Sequence, residues 1–320
     1  MLKRHYSRKL FMCSAVLFAL LLVCMVPKDK MYTLKDVGEK VVYVDKEVQT
    51  SVIFLLDKND YVARTKVATV NTESVSKLKE LIQILIQGGE GENKIPSGFK
   101  SILPSETKLN SISLEEGILK LDFSKELLTI SASLEEKMIE SIIYTVTNVE
   151  GVEKVILYVE GEVLTKLPQT GNYLPSTLDR SFGINKEYDL TSFHDIQSVT
   201  VYYVSKYNED YYYVPVTKYV NDQKDKIKII IDELVTGPTV NSNLMSFLNS
   251  KTELLSSMKD TDTMSLVFND YIFNNLDEQN ILEEVIYTIS LSVADNFNVK
   301  EVSFEVGEQE IYKSVIKTLE

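Results

Sequence analysis

The chain has 320 residues, of which 44% are hydrophobic and 25% charged, a composition typical of a globular protein with room for two ordinary domains. The first 26 residues hold four Lys or Arg and no acid, so the remainder carries 30 bases against 47 acids, a net charge of −17. Such a surface repels nucleic acid and gives no attraction to anionic lipid.

The N-terminal segment has the pattern of a membrane-targeting signal. Residues 1–9 form a basic head, residues 10–26 form an apolar run, and Lys28 and Lys30 follow it. The run is near the short limit for crossing a bilayer and somewhat long for a cleavable signal peptide. The sequence therefore predicts a protein of the cell membrane with a single pass.

An uncleaved anchor is the favoured fate of this segment. No A-x-A cleavage site follows the run, and Val23 stands where lipoprotein processing at Cys24 would need a small residue. A cleaved signal peptide and lipidation at Cys24 remain the alternatives. Because Lys and Arg favour the cytoplasmic side, residues 28–320 are expected to be extracytoplasmic. Both cysteines, Cys13 and Cys24, precede them, so the exported part has no disulfide and no thiol chemistry.

A first repeat is predicted over residues 51–164, after a spacer at residues 27–50. An apolar run and an alternating run predict a β-hairpin, and a three- and four-residue spacing then predicts a helix that ends at Gly88 and Gly89. Two short strands, a second helix and a last strand complete the repeat. The buried stripe of that second helix is predicted to contain Ile139, Ile142, Ile143 and Val146.

The same order of elements returns in a second repeat over residues 198–312. Its last helix is predicted to bury Ile281, Leu282, Val285, Ile286 and Ile289, and the tripeptide Ile-Tyr-Thr at 143–145 recurs at 286–288. Residues 165–197 show no periodicity and are assigned as a linker that separates two independent cores, with packing of this 33-residue segment on one of the domains as the alternative, and residues 313–320 form a tail. The predicted fold class is α+β, with two tandem repeats of a mixed-sheet α/β sandwich domain behind an N-terminal membrane segment.

The residues that carry chemistry are sparse. The chain has two histidines, His5 and His194. These are too few to predict a Ser-His or Cys-His pair, a histidine base or a zinc site. A hydrolase with paired carboxylates is a distant alternative, but Asp122 lies between Leu121 and Phe123 on an alternating strand and should face solvent. We predict no catalytic, cofactor or metal site and expect a protein that is not an enzyme.

A tyrosine-rich hairpin, "VYYVSKYNEDYYYVPV", is the candidate interaction surface. Strand alternation should expose at least two of its rings. Exposed tyrosines favour protein interfaces and can stack on carbohydrate, although strand propensity alone also accounts for them. The candidate residues are Tyr202, Tyr203, Tyr207, Tyr211, Tyr212 and Tyr213.

Four stretches resemble the GerMN domain family of sporulation and spore germination proteins. They are "LPSETKL" at Leu103–Leu109, "GILKLDFS" at Gly117–Ser124, "IIYTVTNVEGVEKVILYVEGE" at Ile142–Glu162 and "LVTGPT" at Leu234–Thr239. The first repeat departs from the family by reading "LIQGGE" at the end of its first helix, and the second lacks the aspartate of "LDFS".

The resemblance implies a non-enzymatic extracytoplasmic protein held at the membrane, with a fold similar to the ring-building modules of secretion machines. It implies partners among envelope or sporulation membrane proteins, as in the complex that links mother cell and forespore. The resulting hypothesis is a membrane-anchored scaffold or adaptor. The alternative hypothesis is an envelope module that binds peptidoglycan or another glycan on exposed tyrosines.

Overall fold

The computed structural model describes residues 49–319, with side chains through Lys317. The predicted basic head, the apolar run and nearly all of the spacer lie outside the described residues. The described residues belong to one compact unit. None of the helices between residues 49 and 319 combines the length and hydropathy that a membrane span requires.

The first repeat contains seven strands and two helices within the described residues. They are β1 (Thr50–Asp57), β2 (Val62–Ala68), α1 (Ser74–Leu85), β3 (Phe99–Lys100), β4 (Leu109–Glu115), β5 (Ile118–Phe123), α2 (Glu135–Val146), β6 (Lys154–Val159) and β7 (Glu162–Val163). The Glu73 carboxylate begins α1 by accepting hydrogen bonds from the N–H groups of Val75 and Ser76, at 3.2 and 2.9 Å, which satisfies two otherwise unpaired donors of the first turn.

The linker and the second repeat supply the remaining elements. They are β8 (Glu187–Asp189), β9 (Ile196–Tyr207), β10 (Asp210–Asn221), α3 (Lys226–Thr236), β11 (Leu254–Asp260), β12 (Thr263–Phe268), α4 (Glu283–Phe297), β13 (Glu301–Val306) and β14 (Gln309–Val315). Helix α3 ends at Thr236 and is capped by Gly237, whose φ of 83° lies in the left-handed region that favours glycine.

Each repeat contains one small mixed sheet, ordered β4-β5-β6-β7 in the first and β11-β12-β13-β14 in the second. In both, a helix connects the parallel pair: α2 lies between β5 and β6 in the chain, and α4 lies between β12 and β13. The burial of β5 alternates as predicted, and Asp122 lies on its outer face, where it accepts a hydrogen bond from the Gly161 N–H at 3.0 Å. The predicted tandem α+β fold with mixed sheets is confirmed.

The two repeats also share a third sheet. The β1–β2 hairpin and the β9–β10 hairpin join where Arg64 of β2 pairs with Tyr213 of β10, and β8 of the linker pairs in parallel with the other end of β10. Leu174, Leu178 and Ile184 of the linker are buried in the core of the first repeat. The linker thus packs on the first repeat, as the alternative expected. The expectation that it keeps the two repeats apart is wrong, because the β1–β2 hairpin, the β9–β10 hairpin and β8 of the linker share one sheet.

Helices α2 and α4 occupy equivalent places, but not in the register that the shared tripeptide predicts. Thr145 Oγ1 accepts a hydrogen bond from the Phe54 N–H at 3.0 Å, and Ser292 Oγ accepts one from the Tyr202 N–H at 2.9 Å. These bonds match Thr145 with Ser292, so Ile142 matches Ile289, and both of these isoleucines are fully buried. The Ile-Tyr-Thr match is offset by about one helical turn.

Candidate interaction surface

Three of the six candidate tyrosines are not at the surface. Tyr202, Tyr203 and Tyr212 are 2%, 0% and 7% exposed, which corrects their assignment to an interaction surface. Helices cover both faces of β9: the Tyr202 hydroxyl donates to Asp295 of α4 at 3.0 Å, and the Tyr203 hydroxyl donates to the Glu233 carbonyl of α3 at 3.3 Å. Strand alternation exposes alternate residues only when one face of a sheet meets water, so the prediction failed here.

Tyr212 instead connects the two repeats. Its hydroxyl donates to Oδ2 of Asp57 at 2.8 Å and accepts from the Ser205 hydroxyl at 2.9 Å. Asp57 is fully buried, and its Oδ1 accepts the N–H groups of Asn59 and Tyr61, both at 2.8 Å. Burial raises the pKa of Tyr212 above its ordinary value, so the phenol stays protonated and remains the donor that this buried carboxylate requires.

The other three tyrosines of the hairpin are partly or largely exposed. The Tyr207 ring packs against Gly98 of the first repeat, where an added Cβ would lie 2.6 Å from the ring. Tyr213 stacks on Tyr287 with ring centroids 5.2 Å apart. Tyr211 is the most exposed of the six, at 44%, and its ring contacts Phe247 edge to face. Each of these three rings thus contacts a different neighbour: Gly98, Tyr287 or Phe247.

Asn185 of the linker joins the hairpins of the two repeats. Its carboxamide accepts the Val62 N–H at 2.9 Å and donates to the carbonyls of Val62 and Pro215, both at 2.8 Å. Its own N–H donates to Oε2 of Glu140 at 3.0 Å. Burial raises the pKa of Glu140 to about 7, against the lowering effects of this bond and of Lys186 nearby. The Asn185 side chain thus completes the sheet where β2 and β10 diverge.

Arg180 of the linker forms a second connection. Its guanidinium forms an ion pair with Asp295 of α4 and donates to the Thr147 hydroxyl at 3.0 Å. It also lies over the Tyr144 ring, 4.9 Å from the centroid. The Asp295 side chain is only 4% exposed and also accepts the Tyr202 hydroxyl, so one linker residue links α2 to the core of the second repeat.

The linker also lines an open pocket of about 430 Å³. The rings of Tyr188 on β8 and Tyr219 on β10 stack there, with centroids 4.8 Å apart and planes 13° from parallel. This geometry follows from the parallel pairing of β8 with β10, which places the two residues opposite each other. Tyr188 is 65% exposed, and Tyr173, which also lines the pocket, is 77% exposed. We call this site the linker pocket.

Comparison with known proteins identifies the fold. The model of the Germane family, described as sporulation and spore germination, matches residues 51–165 and 200–312. The chain belongs to this family. It is 34% identical over 263 residues to the spore germination protein GerM of Bacillus subtilis (strain 168), with 80% of this chain and 70% of that protein covered.

A solved structure agrees with this membership. The tandem GerMN domains of the sporulation protein GerM from Bacillus subtilis superpose with a TM-score of 0.75 at 30% identity, and the match covers 82% of this chain and 96% of that one. The predicted resemblance to tandem GerMN domains is confirmed, and this is a GerM-like sporulation and germination protein.

The GerMN repeats hold no group of three or more His, Cys, Asp or Glu arranged for a metal ion, as far as residues 49–319 show. His194 is exposed on the loop before β9. The linker residues that join the repeats, Asn185 and Arg180, were missed by sequence analysis because the linker lacks periodicity. The one available signal was the density of Gly, Pro and Asn in the linker, which marks turns and does not identify their contacts.

Proposed function

We propose that this GerM-like protein is a membrane-anchored extracytoplasmic scaffold that binds envelope or sporulation membrane proteins and catalyses no reaction. The observation that carries the proposal is the continuous sheet through both repeats, together with the buried contacts of Asn185 and Tyr212. A body built in this way holds the surfaces of its two domains at a fixed spacing. A fixed spacing would let one molecule hold two partner-binding surfaces in a defined geometry, as a component of an assembly requires.

Anchorage is part of the proposal and rests on the sequence pattern of residues 1–30. The basic head followed by an apolar run would place residues 28–320 outside the cytoplasm. The relative in Bacillus subtilis is a spore germination protein, which supports an envelope setting for the partners.

The outer edge of β11 is the surface that we propose for a protein partner. This strand lies at the end of its sheet, and its residues after Leu254 are exposed on both faces. Leu255 and Met258 are 59% and 66% exposed. An edge strand offers unpaired backbone groups to an added strand, and flanking apolar side chains give specificity.

Site-specific photocrosslinking in native membranes tests the proposal. A photoreactive residue at Leu255 or Met258 is expected to capture a defined membrane protein of the envelope. One at Leu276, which is 62% exposed on the loop between β12 and α4, is expected to capture none. Equal capture from all three positions would contradict β11 as the partner surface. Recovery of glycan strands alone would support the alternative function, a peptidoglycan- or glycan-binding module.

That alternative no longer rests on the hairpin tyrosines, because Tyr202, Tyr203 and Tyr212 are buried. The observation that favours it is the set of exposed rings at the linker pocket.

A further inference from the structure

We propose that the linker pocket binds a neutral glycan, with a sugar ring stacked on the exposed tyrosines. This site is separate from β11 and does not depend on a protein partner. The pocket is lined by, among others, Tyr173, Asp179, Phe182, Lys186, Tyr188 and Tyr219.

The pocket has the size and rigidity of a binding site. Its volume of about 430 Å³ lies within the range of roughly 300–1,000 Å³ found for small-molecule sites. The linker that forms its wall is held by the core: Leu178 exchanges two backbone hydrogen bonds with Val155, both at 2.8 Å, and Leu174 is fully buried. Little ordering would therefore be needed when a ligand binds.

The aromatic rings favour a sugar as the ligand. Tyr188 is held parallel to Tyr219 by strand pairing, yet it is 65% exposed, so a rigid ring remains open to water. The face of an aromatic ring carries partial negative charge, and the axial C–H bonds of a pyranose ring present partial positive charge to it. Tyr173, 77% exposed, provides a second ring at the same opening.

The charges around the pocket favour a neutral ligand. The Lys186 ammonium is already engaged: it lies 2.5 Å from Oε1 of Glu136 and 3.6 Å from the centroid of the Phe182 ring. Asp179 contributes a carboxylate to the rim, with Oδ1 accepting the Ser181 N–H at 2.8 Å. An anionic ligand would therefore be repelled by the Asp179 carboxylate and would find the charge of Lys186 already neutralised by Glu136. The hydroxyl groups of a sugar, in contrast, can donate to Asp179 and accept from the Ser181 hydroxyl.

Saturation-transfer NMR on the purified full-length chain tests the proposal, with tetra-N-acetylchitotetraose as the neutral probe and a detergent that has no sugar headgroup. We expect saturation of the sugar-ring protons and no transfer to a heparin oligosaccharide of similar length. Tyr188→Ala should lower the affinity for the neutral probe at least tenfold, and Tyr173→Ala should lower it severalfold. Tyr188→Phe, which keeps the ring, should retain binding.

Tyr271→Ala is the matched control, because Tyr271 is 46% exposed on the second repeat, far from the linker in sequence, and it should not change binding. Absence of saturation transfer at millimolar probe would overturn the proposal. So would equal losses in Tyr188→Ala and Tyr271→Ala, or stronger binding of the heparin oligosaccharide. The proposal also requires that Tyr188→Ala loses binding while its thermal midpoint stays unchanged. A lowered midpoint in Tyr188→Ala, together with an equal loss of binding in Tyr188→Phe, would mean that the effect comes from the fold and not from the face of the ring.

Discussion

Asn185 pairs with Val62 in the way that one strand residue pairs with another: its carboxamide accepts the Val62 N–H at 2.9 Å and donates to the Val62 carbonyl at 2.8 Å. A side chain of the linker thereby replaces a missing strand neighbour at the junction of the repeats. The backbone of Asn185 is left-handed, with φ of 46°, a conformation that Asn tolerates better than most residues.

Asn185→Asp should destabilise the junction. The new carboxylate would place an acceptor against the carbonyls of Val62 and Pro215, which now receive the amide protons. We expect a loss of about 2–4 kcal/mol in the free energy of unfolding, because buried acceptors would be left unpaired. Chemical denaturation measures it. Asn243→Asp is the control, since Asn243 also has positive φ but is exposed, and an equal effect there would refute the junction argument.

Glu140 should give the stability of the chain a pH dependence near neutrality. Burial raises its folded pKa from 4.5 to about 7, so between these values the folded state holds a proton that the unfolded state has lost. Its contribution to stability is therefore fully present below pH 4.5 and is lost as the pH rises through 7. Glu140→Gln should match the parent at pH 4 and exceed it by about 3 kcal/mol at pH 8.

Glu80 provides a control of opposite sign. Burial tends to raise its pKa, but hydrogen bonds from Lys94, Asn71 and Val70 outweigh burial and lower it to about 2. The contribution of Glu80 to the stability of the fold is therefore present above pH 4.5 and is lost as the pH falls through 2. Glu80→Gln should lower the thermal midpoint at pH 7. If Glu140→Gln also lowers the midpoint at pH 8, the raised pKa of Glu140 is wrong.

Arg180 and Asp295 should be coupled energetically. Removing Arg180 alone takes away the cation that is paired with the buried carboxylate of Asp295 and leaves the hydrogen bond from the Tyr202 hydroxyl. Arg180→Met should therefore cost about 3–5 kcal/mol, while the double variant with Asp295→Leu should recover a large part of this loss. A double-mutant cycle from denaturant unfolding gives the coupling energy. Additive losses would show that the pair does not connect the repeats.

Sequence patterns predicted the repeated elements well because apolar spacing reports directly on which face is buried. The alternation of β5 and the buried stripe of α2, including Ile142 and Ile143, appear in the structure as expected. The continuous run of buried residues in β9 was misjudged, because alternation was assumed for a strand that helices cover on both faces.

The junction could not be predicted from pattern. Asn185 and Arg180 act through single side chains that contact distant positions, and neither belongs to a periodic segment. The repeated Ile-Tyr-Thr tripeptide also suggested the wrong alignment of the two helices. Tyr144 is buried and Tyr287 is partly exposed, although each is the central residue of that tripeptide. The equivalence appears only when the hydrogen bonds of Thr145 and Ser292 are compared.

The N-terminal segment leads to a prediction about processing. A reporter that is active only outside the cytoplasm should work when fused after Lys30, because the basic head favours the cytoplasmic side. Val23 precedes Cys24, so labelling with a fatty-acid analogue should give no signal that depends on Cys24. Incorporation that disappears in Cys24→Ser would show that the chain is a lipoprotein.

Ile142 and Ile289 test whether the repeats unfold together. Both are fully buried at equivalent places in α2 and α4, and each change to Ala should cost about 2–5 kcal/mol. Separating the repeats would expose Asn185, Asp57 and Tyr212, so we expect calorimetry of the full-length chain to show one transition that either variant shifts as a whole. Asp122→Asn, on an outer strand face, should change stability by less than about 0.5 kcal/mol. Two transitions, each sensitive to only one isoleucine, would mean that the shared sheet does not couple the domains.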